Sequence, residues 1–310
     1  MSLIRIKSVF EKLESYTDWS LQLLNIKVSK RTGIGYSSRQ INLSPSERIM
    51  SLIEEITQTY GKNGKKDLSM YEDVRDYDGT ANNRVIYRMN RSDGMICSEY
   101  ELFLQTIAEP DVENDPFKYE SAYLLCGQVL IDGEMVPVKL ISMQNPTTSL
   151  KNKYVWNQGV FKDISDKVLS LRTAVDVVIL GETVYFLTLV GENLFNMPRA
   201  YKEICQQKVE IIKDAGIVSD IELLKSVAMS GHNPRKFVSF NDKRLEVLKK
   251  RSERIKYAKM FSIPLDTSGN KFDVTAEGAA EKLVKFLCNK GMLDPIEQNA
   301  VEVDGAKKWS

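Results

Sequence analysis

A single histidine serves the whole 310-residue chain, His232 in the turn SGHNP. That scarcity removes Ser-His-Asp, Cys-His and histidine-metal mechanisms unless His232 is itself the base. A lone turn histidine is read here as structural. Four cysteines, Cys97, Cys126, Cys205 and Cys288, stand apart with no CxxC pair. Free thiols in a reducing cytoplasm are therefore expected, and no zinc site. No GxxxxGK[ST] occurs, so no phosphate-cradling loop is signalled. The GxG of RTGIGYSS lacks a third glycine and a convincing preceding strand, and is read as a loop. Long apolar runs are also missing. The most apolar stretch, AVDVVILGETVYFLTLV, is interrupted by Asp176, Gly181 and Glu182, too often to cross a bilayer. The N-terminal MSLIRIKSVFEKLESY lacks the apolar region of a signal peptide. A cytoplasmic protein follows, whose only route to a membrane is a partner.

Excess charge of either sign is absent too, with 43 basic against 42 acidic residues. Any electrostatic function must therefore come from local segregation. Glu99, Glu101, Glu109, Asp111, Glu113, Asp115 and Glu120 are opposed only by Lys118 in their stretch. An acidic, solvated loop is the plain reading. Between His232 and Met260 the balance reverses, ten basic residues against Asp242, Glu246 and Glu253. The stretch NDKRLEVLKKRSERIKYAKM reads as one helix. At about 100° per residue, Leu245, Leu248, Ser252 and Ile255 share one face while Lys243, Lys250 and Arg254 share the other. Such a stripe suits phosphates, which attract Lys and Arg whatever the base sequence. The candidate contacts are Arg235, Lys236, Lys243, Lys249, Lys250, Arg254 and Lys256.

Patterning predicts an α+β protein. Residues 1–115 form an α/β region that contains a strand from Trp19 to Val28, a helix started by Ser44-Pro45 and a strand from Val85 to Met89. Tyr100 to Ile107 is ambiguous between strand and helix, and Pro110 to Pro116 is the best linker. Residues 116–310 form a core of central antiparallel hairpins packed by C-terminal helices. YLLCGQVLI and MVPVKLI flank Asp132-Gly133, and VDVVIL and TVYFLTL flank Gly181-Glu182, both hairpin signatures. RAYKEICQQKVEIIKDAG, DIELLKSVAMSG and TAEGAAEKLVKFLCNKG read as helices, the last starting at Thr275, and AVEVDGAKKWS as a closing strand.

A Mg-dependent nuclease needs clustered carboxylates. Asp132, Glu134 and Lys139 on the first hairpin, with Asp176 and Glu182 on the second, are the only set proposed for that role. Turn and cap roles explain most of them. Among the aromatics, Tyr154 and Trp156 in the polar KNKYVWNQG are the candidates for base stacking or partner contact. No cofactor is implied.

From about Tyr119 onward the order of segments resembles the KwaB-like family of the bacterial Kiwa anti-phage system. The features that carry it are YLL…VPVKLIS, the stretch around Trp156 to Leu171, the VDVVILGETVYFLTL hairpin, ENLFNM, the basic segment before FSIPLD, and TAEGAAEKLVKFLCNKGMLD. The resemblance implies a cytoplasmic effector that binds DNA and self-associates as a dimer or tetramer. It also implies work beside a small multi-pass membrane protein, KwaA, at the inner face of the inner membrane. It offers no catalytic residues to carry over. A defence nuclease and an oligomeric scaffold that does not bind DNA stand as alternatives.

Overall fold

The computed structural model describes residues 6–29, 33–43, 47–61, 70–73, 85–111, 119, 121–143, 147–149, 154–157, 160–163, 167–288, 291–293 and 300–302. The Ser44-Pro45 start signal, most of the 110–116 linker and the side chains of Tyr154 and Trp156 lie outside the described residues. The chain divides into two compact units, one of residues 1–71 and 83–197, the other of residues 72–82 and 198–310.

The first unit contains, in chain order, α1 (Ile6–Phe10), β1 (Ser20–Ser29), β2 (Gly33–Ile41), α2 (Arg48–Tyr60), β3 (Met70–Asp73, shared with the second unit), β4 (Val85–Asn90) and α3 (Cys97–Ala108). There follow β5 (Ala122–Ile131), β6 (Glu134–Ser142), β7 (Thr147–Ser149), β8 (Tyr154–Asn157), β9 (Val160–Asp163), β10 (Lys167–Leu169), β11 (Val177–Leu180) and β12 (Thr183–Phe186). An eight-stranded sheet runs in the order β2-β1-β5-β6-β11-β12-β4-β3, and its pairings from β2 to β4 are all antiparallel. The two hairpins form its centre. In the first, Asp132 (φ 49°) and Gly133 (φ 87°) both take positive φ, the turn geometry that matches strand twist.

The sheet carries a layer on each face. On one, Leu21 and Leu23 of β1, Tyr123 and Leu125 of β5 and Val138 and Leu140 of β6 share a core with Ile6 and Phe10 of α1 and Ile53 and Ile56 of α2. On the other, Phe103 of α3 meets Tyr36 of β2 and Phe195 edge-on, and Phe195 meets Phe186 of β12. The ambiguous segment after Tyr100 is thus helical. RTGIGYSS contributes most of β2 rather than a loop, because pairing with β1 from Ser29↔Gly33 to Leu21↔Ile41 gives hydrogen-bond partners to one side of its backbone. The boundary expected at residues 115/116 falls within this unit, where β1 pairs with β5 across it.

The second unit contains α4 (Met197–Ala215, whose first residue belongs to the first unit), α5 (Ile221–Ala228), α6 (Asn233–Lys236), α7 (Asp242–Lys249), α8 (Arg251–Met260), α9 (Ala279–Leu287), β13 (Gly291–Leu293) and β14 (Ala300–Glu302). Gly216 (φ 63°) follows α4 as a left-handed cap. Asp220 caps α5 by accepting from the Leu223 N–H at 2.9 Å. α9 starts behind Gly278, later than the Thr275 cap expected from sequence. The unit's core joins Val209 and Ile212 of α4, Leu224 of α5, Leu245 and Leu248 of α7, Ala258 of α8 and Leu283, Phe286 and Leu287 of α9.

Candidate nucleic-acid interface

The basic segment is two helices. Asn241 caps the first, its side-chain oxygen accepting from the Arg244 N–H at 3.1 Å. α7 then ends, Lys250 is extended at φ −77°, ψ 124°, and α8 starts at Arg251. Burial follows the break. Leu245 and Leu248 are inside, as their spacing predicts, and Ile255 is exposed. Arg254 is the larger correction. Only 9% of it is accessible, and its Nη1 donates to the Leu248 carbonyl at 2.7 Å and lies 3.5 Å from that of Lys249. Burial lowers its pKa below the ordinary arginine range, with nearby Arg251 adding to the shift and Asp266 opposing it.

The remaining candidates divide by residue type. Arg235 is buried, with its guanidinium carbon 5.1 Å from the centre of the Tyr201 ring. Lys236 is half-buried and donates to Asn233 Oδ1 at 3.0 Å. Lys243, Lys249, Lys250 and Lys256 are exposed, as are Arg251 and Lys259, which the single-helix reading passes over. Arg244 turns inward, donating to the Phe286 carbonyl at 2.5 Å and covering that ring. The pattern has a physical cause. A planar guanidinium satisfies carbonyls and stacks on rings, while a strongly hydrated ammonium stays in water. Three arginines thus build the unit and the lysines coat it. Treating Arg and Lys as different residues is the sequence signal that separates most of the two groups, with Arg251 the exposed exception.

Two outward carboxylates are already engaged, Asp242 by Lys208 at 2.9 Å and Glu246 by Lys249 at 2.6 Å. Lys243, Lys250, Arg251, Lys256 and Lys259 have no ion pair among the described residues. The segment's aromatic ring, Tyr257, packs against Phe261 and Phe286.

The nuclease set is not brought together. Asp176 sits just before β11, beside Ile141 at the Ser142 end of β6. Asp132 and Glu134 lie at the opposite end of β6, about 25 Å away at about 3.3 Å per residue. Asp132 forms the turn, Glu134 is exposed, and Glu182 pairs with Arg91. Asp176 is buried and fully occupied. Its Oδ2 accepts from the Met143 N–H at 2.8 Å and from Arg172 Nη2 at 2.9 Å, and its Oδ1 accepts from Thr188 Oγ1 at 2.5 Å. It ties three loop segments to the sheet end. Among the described residues no group of three His, Cys, Asp or Glu side chains is placed to hold a metal ion.

A family profile described as Kiwa protein KwaB-like matches residues 134–292, just over half of the chain. The chain belongs to the KwaB-like family. The matched span runs from β6 to the middle of β13, so it includes Asp176, both helices of the basic segment and α9. Family membership gives the chain a role in Kiwa anti-phage defence. No curated protein and no solved structure matches it. No helix among the described residues is long and apolar enough to cross a membrane.

Proposed function

We propose that this KwaB-like chain is a cytoplasmic Kiwa effector that holds DNA by its phosphates, without reading bases and without a catalytic step of its own. The contacts are Lys243, Lys249, Lys250 and Lys256, joined by Arg251 and Lys259, with Arg235 and Arg254 set aside for structure. The observation that carries this reading is the excess of exposed cations on α7 and α8, of which Lys243, Lys250, Arg251, Lys256 and Lys259 have no ion pair among the described residues. Lysine is a flexible point charge that suits phosphate whatever the base sequence. Self-association and action beside a KwaA-like membrane partner complete the proposal and rest on the family.

The test is duplex affinity for the purified chain and for the Lys243→Glu, Lys250→Glu, Lys256→Glu triple variant, on two unrelated sequences. All three residues are exposed, so the variant should keep its melting temperature. Binding should weaken equally on both sequences. Unchanged affinity in a folded triple variant would remove the basic segment from the account.

A further inference from the structure

No glycine or proline lies between Asn241 and Met260, and Leu, Lys, Arg and Glu dominate the stretch. These are strong helix formers, so local propensity favours one continuous helix. The break at Lys250 must come from elsewhere. In a continuous helix the Leu248 and Lys249 carbonyls would accept from the Ser252 and Glu253 N–H groups, four residues on. Here the guanidinium of Arg254 reaches back from α8, binds the first carbonyl at 2.7 Å and sits by the second. It occupies the acceptors that continuation of α7 would need.

The break decides which side chains face water. At about 100° per residue, a helix continued from α7 would put Lys256 and Lys259 within about 50° of the direction in which Leu245 and Leu248 are buried. Arg254 would then point outward. The structure has the reverse, with Arg254 inside and Lys256 and Lys259 exposed. The extended Lys250 resets the phase of α8 relative to α7, and Ala258 takes its place in the core.

We propose that Arg254 is a positioning residue for the cationic surface: by capping α7 from within α8 it sets the break that turns Lys256 and Lys259 to solvent. This rests on the phosphate-binding reading above and explains how that surface is assembled. Arg254 itself touches no phosphate.

The test uses full-length protein and a labelled mixed-sequence duplex. Arg254→Met should weaken binding and lower the slope of log affinity against log salt by about 2, about 1 for each lysine misdirected. Arg251→Pro supplies the break by another route. Proline is tolerated at the first position of a helix and biases the preceding residue to the extended form, the form Lys250 already has. Arg254→Met with Arg251→Pro should therefore recover the affinity of Arg251→Ala alone. If Arg254 contacted phosphate directly, no proline would restore binding. A double variant no better than Arg254→Met, or an Arg254→Met protein that binds like wild type, overturns the proposal. If Arg254→Met does not fold, Arg254→Lys carries the test. It keeps the charge but lacks the forked donor, so reduced affinity restored by Arg251→Pro supports positioning, and wild-type affinity overturns it. Lys256→Ala with Lys259→Ala tests the reading beneath. If that pair binds duplex normally, the phosphate assignment of α8 fails, whatever Arg254 does.

Discussion

Asp176 meets three donors in a space almost closed to water, and its sequence context gives only half of that picture. A carboxylate entering the apolar VVIL is legible as unusual. Its partners are not, because Met143, Arg172 and Thr188 are brought to it from three different connections. Removing one member of a buried pair leaves the others without a partner. Asp176→Ala should therefore lower unfolding free energy by about 2–4 kcal/mol, discounted because Arg172 is partly exposed. Urea denaturation reads this directly, and duplex affinity of the folded fraction should not change. Loss of DNA binding with stability intact would give Asp176 a functional role instead. Arg254 makes the same point about single residues. Its type and spacing suggest an outward cation, and only the carbonyls it caps show why it is buried.

Elements with a local signal are legible. The Asp132-Gly133 turn, the Gly181-Glu182 turn, the Asp220 cap and Gly216 after α4 each mark a boundary through the conformation they favour. β2 and the α7–α8 break are illegible for opposite reasons. The strand has glycines that resemble a loop, yet a nine-residue register with β1 holds it extended at the sheet edge. The break has good helix formers throughout and is imposed by a side chain four residues beyond it. Hydrogen exchange checks the break at the element scale. Because α8 starts anew at Arg251, the Ser252 and Glu253 amides lie in a first turn with no helical acceptor before them. They should exchange much faster than the amides of Leu248 and Lys249. Equal protection across residues 246–256 would mean one continuous helix.

Over the whole molecule, the α+β class is readable from the two hairpins and the helices that follow them, but the sheet order is not. β4 pairs with β12, and β1 with β5, each across a long stretch of sequence, and no spacing rule specifies such partners. The buried and half-buried thiols and phenols define a global pH response. Burial pushes Cys126 and Cys205 up to about 11 and about 12 from an ordinary value of 9.0. It also raises the Tyr36 and Tyr123 hydroxyls above 10.0. The folded state thus prefers the neutral forms, and their contribution is complete below pH 9 and lost as pH rises towards 12. Urea midpoints should hold to about pH 8.5 and decline steadily above it, and a midpoint that does not decline by pH 10.5 would contradict the burial of these groups.

The central claim is phosphate contact by exposed lysines, and salt titration tests it most directly. Duplex affinity of the wild-type chain, measured on two unrelated sequences, should fall linearly on a log–log plot with one common slope. The Lys243→Glu, Lys250→Glu, Lys256→Glu variant should show that slope reduced by about 3, about 1 per lysine. Affinity independent of salt, or different slopes for the two sequences, would contradict the account.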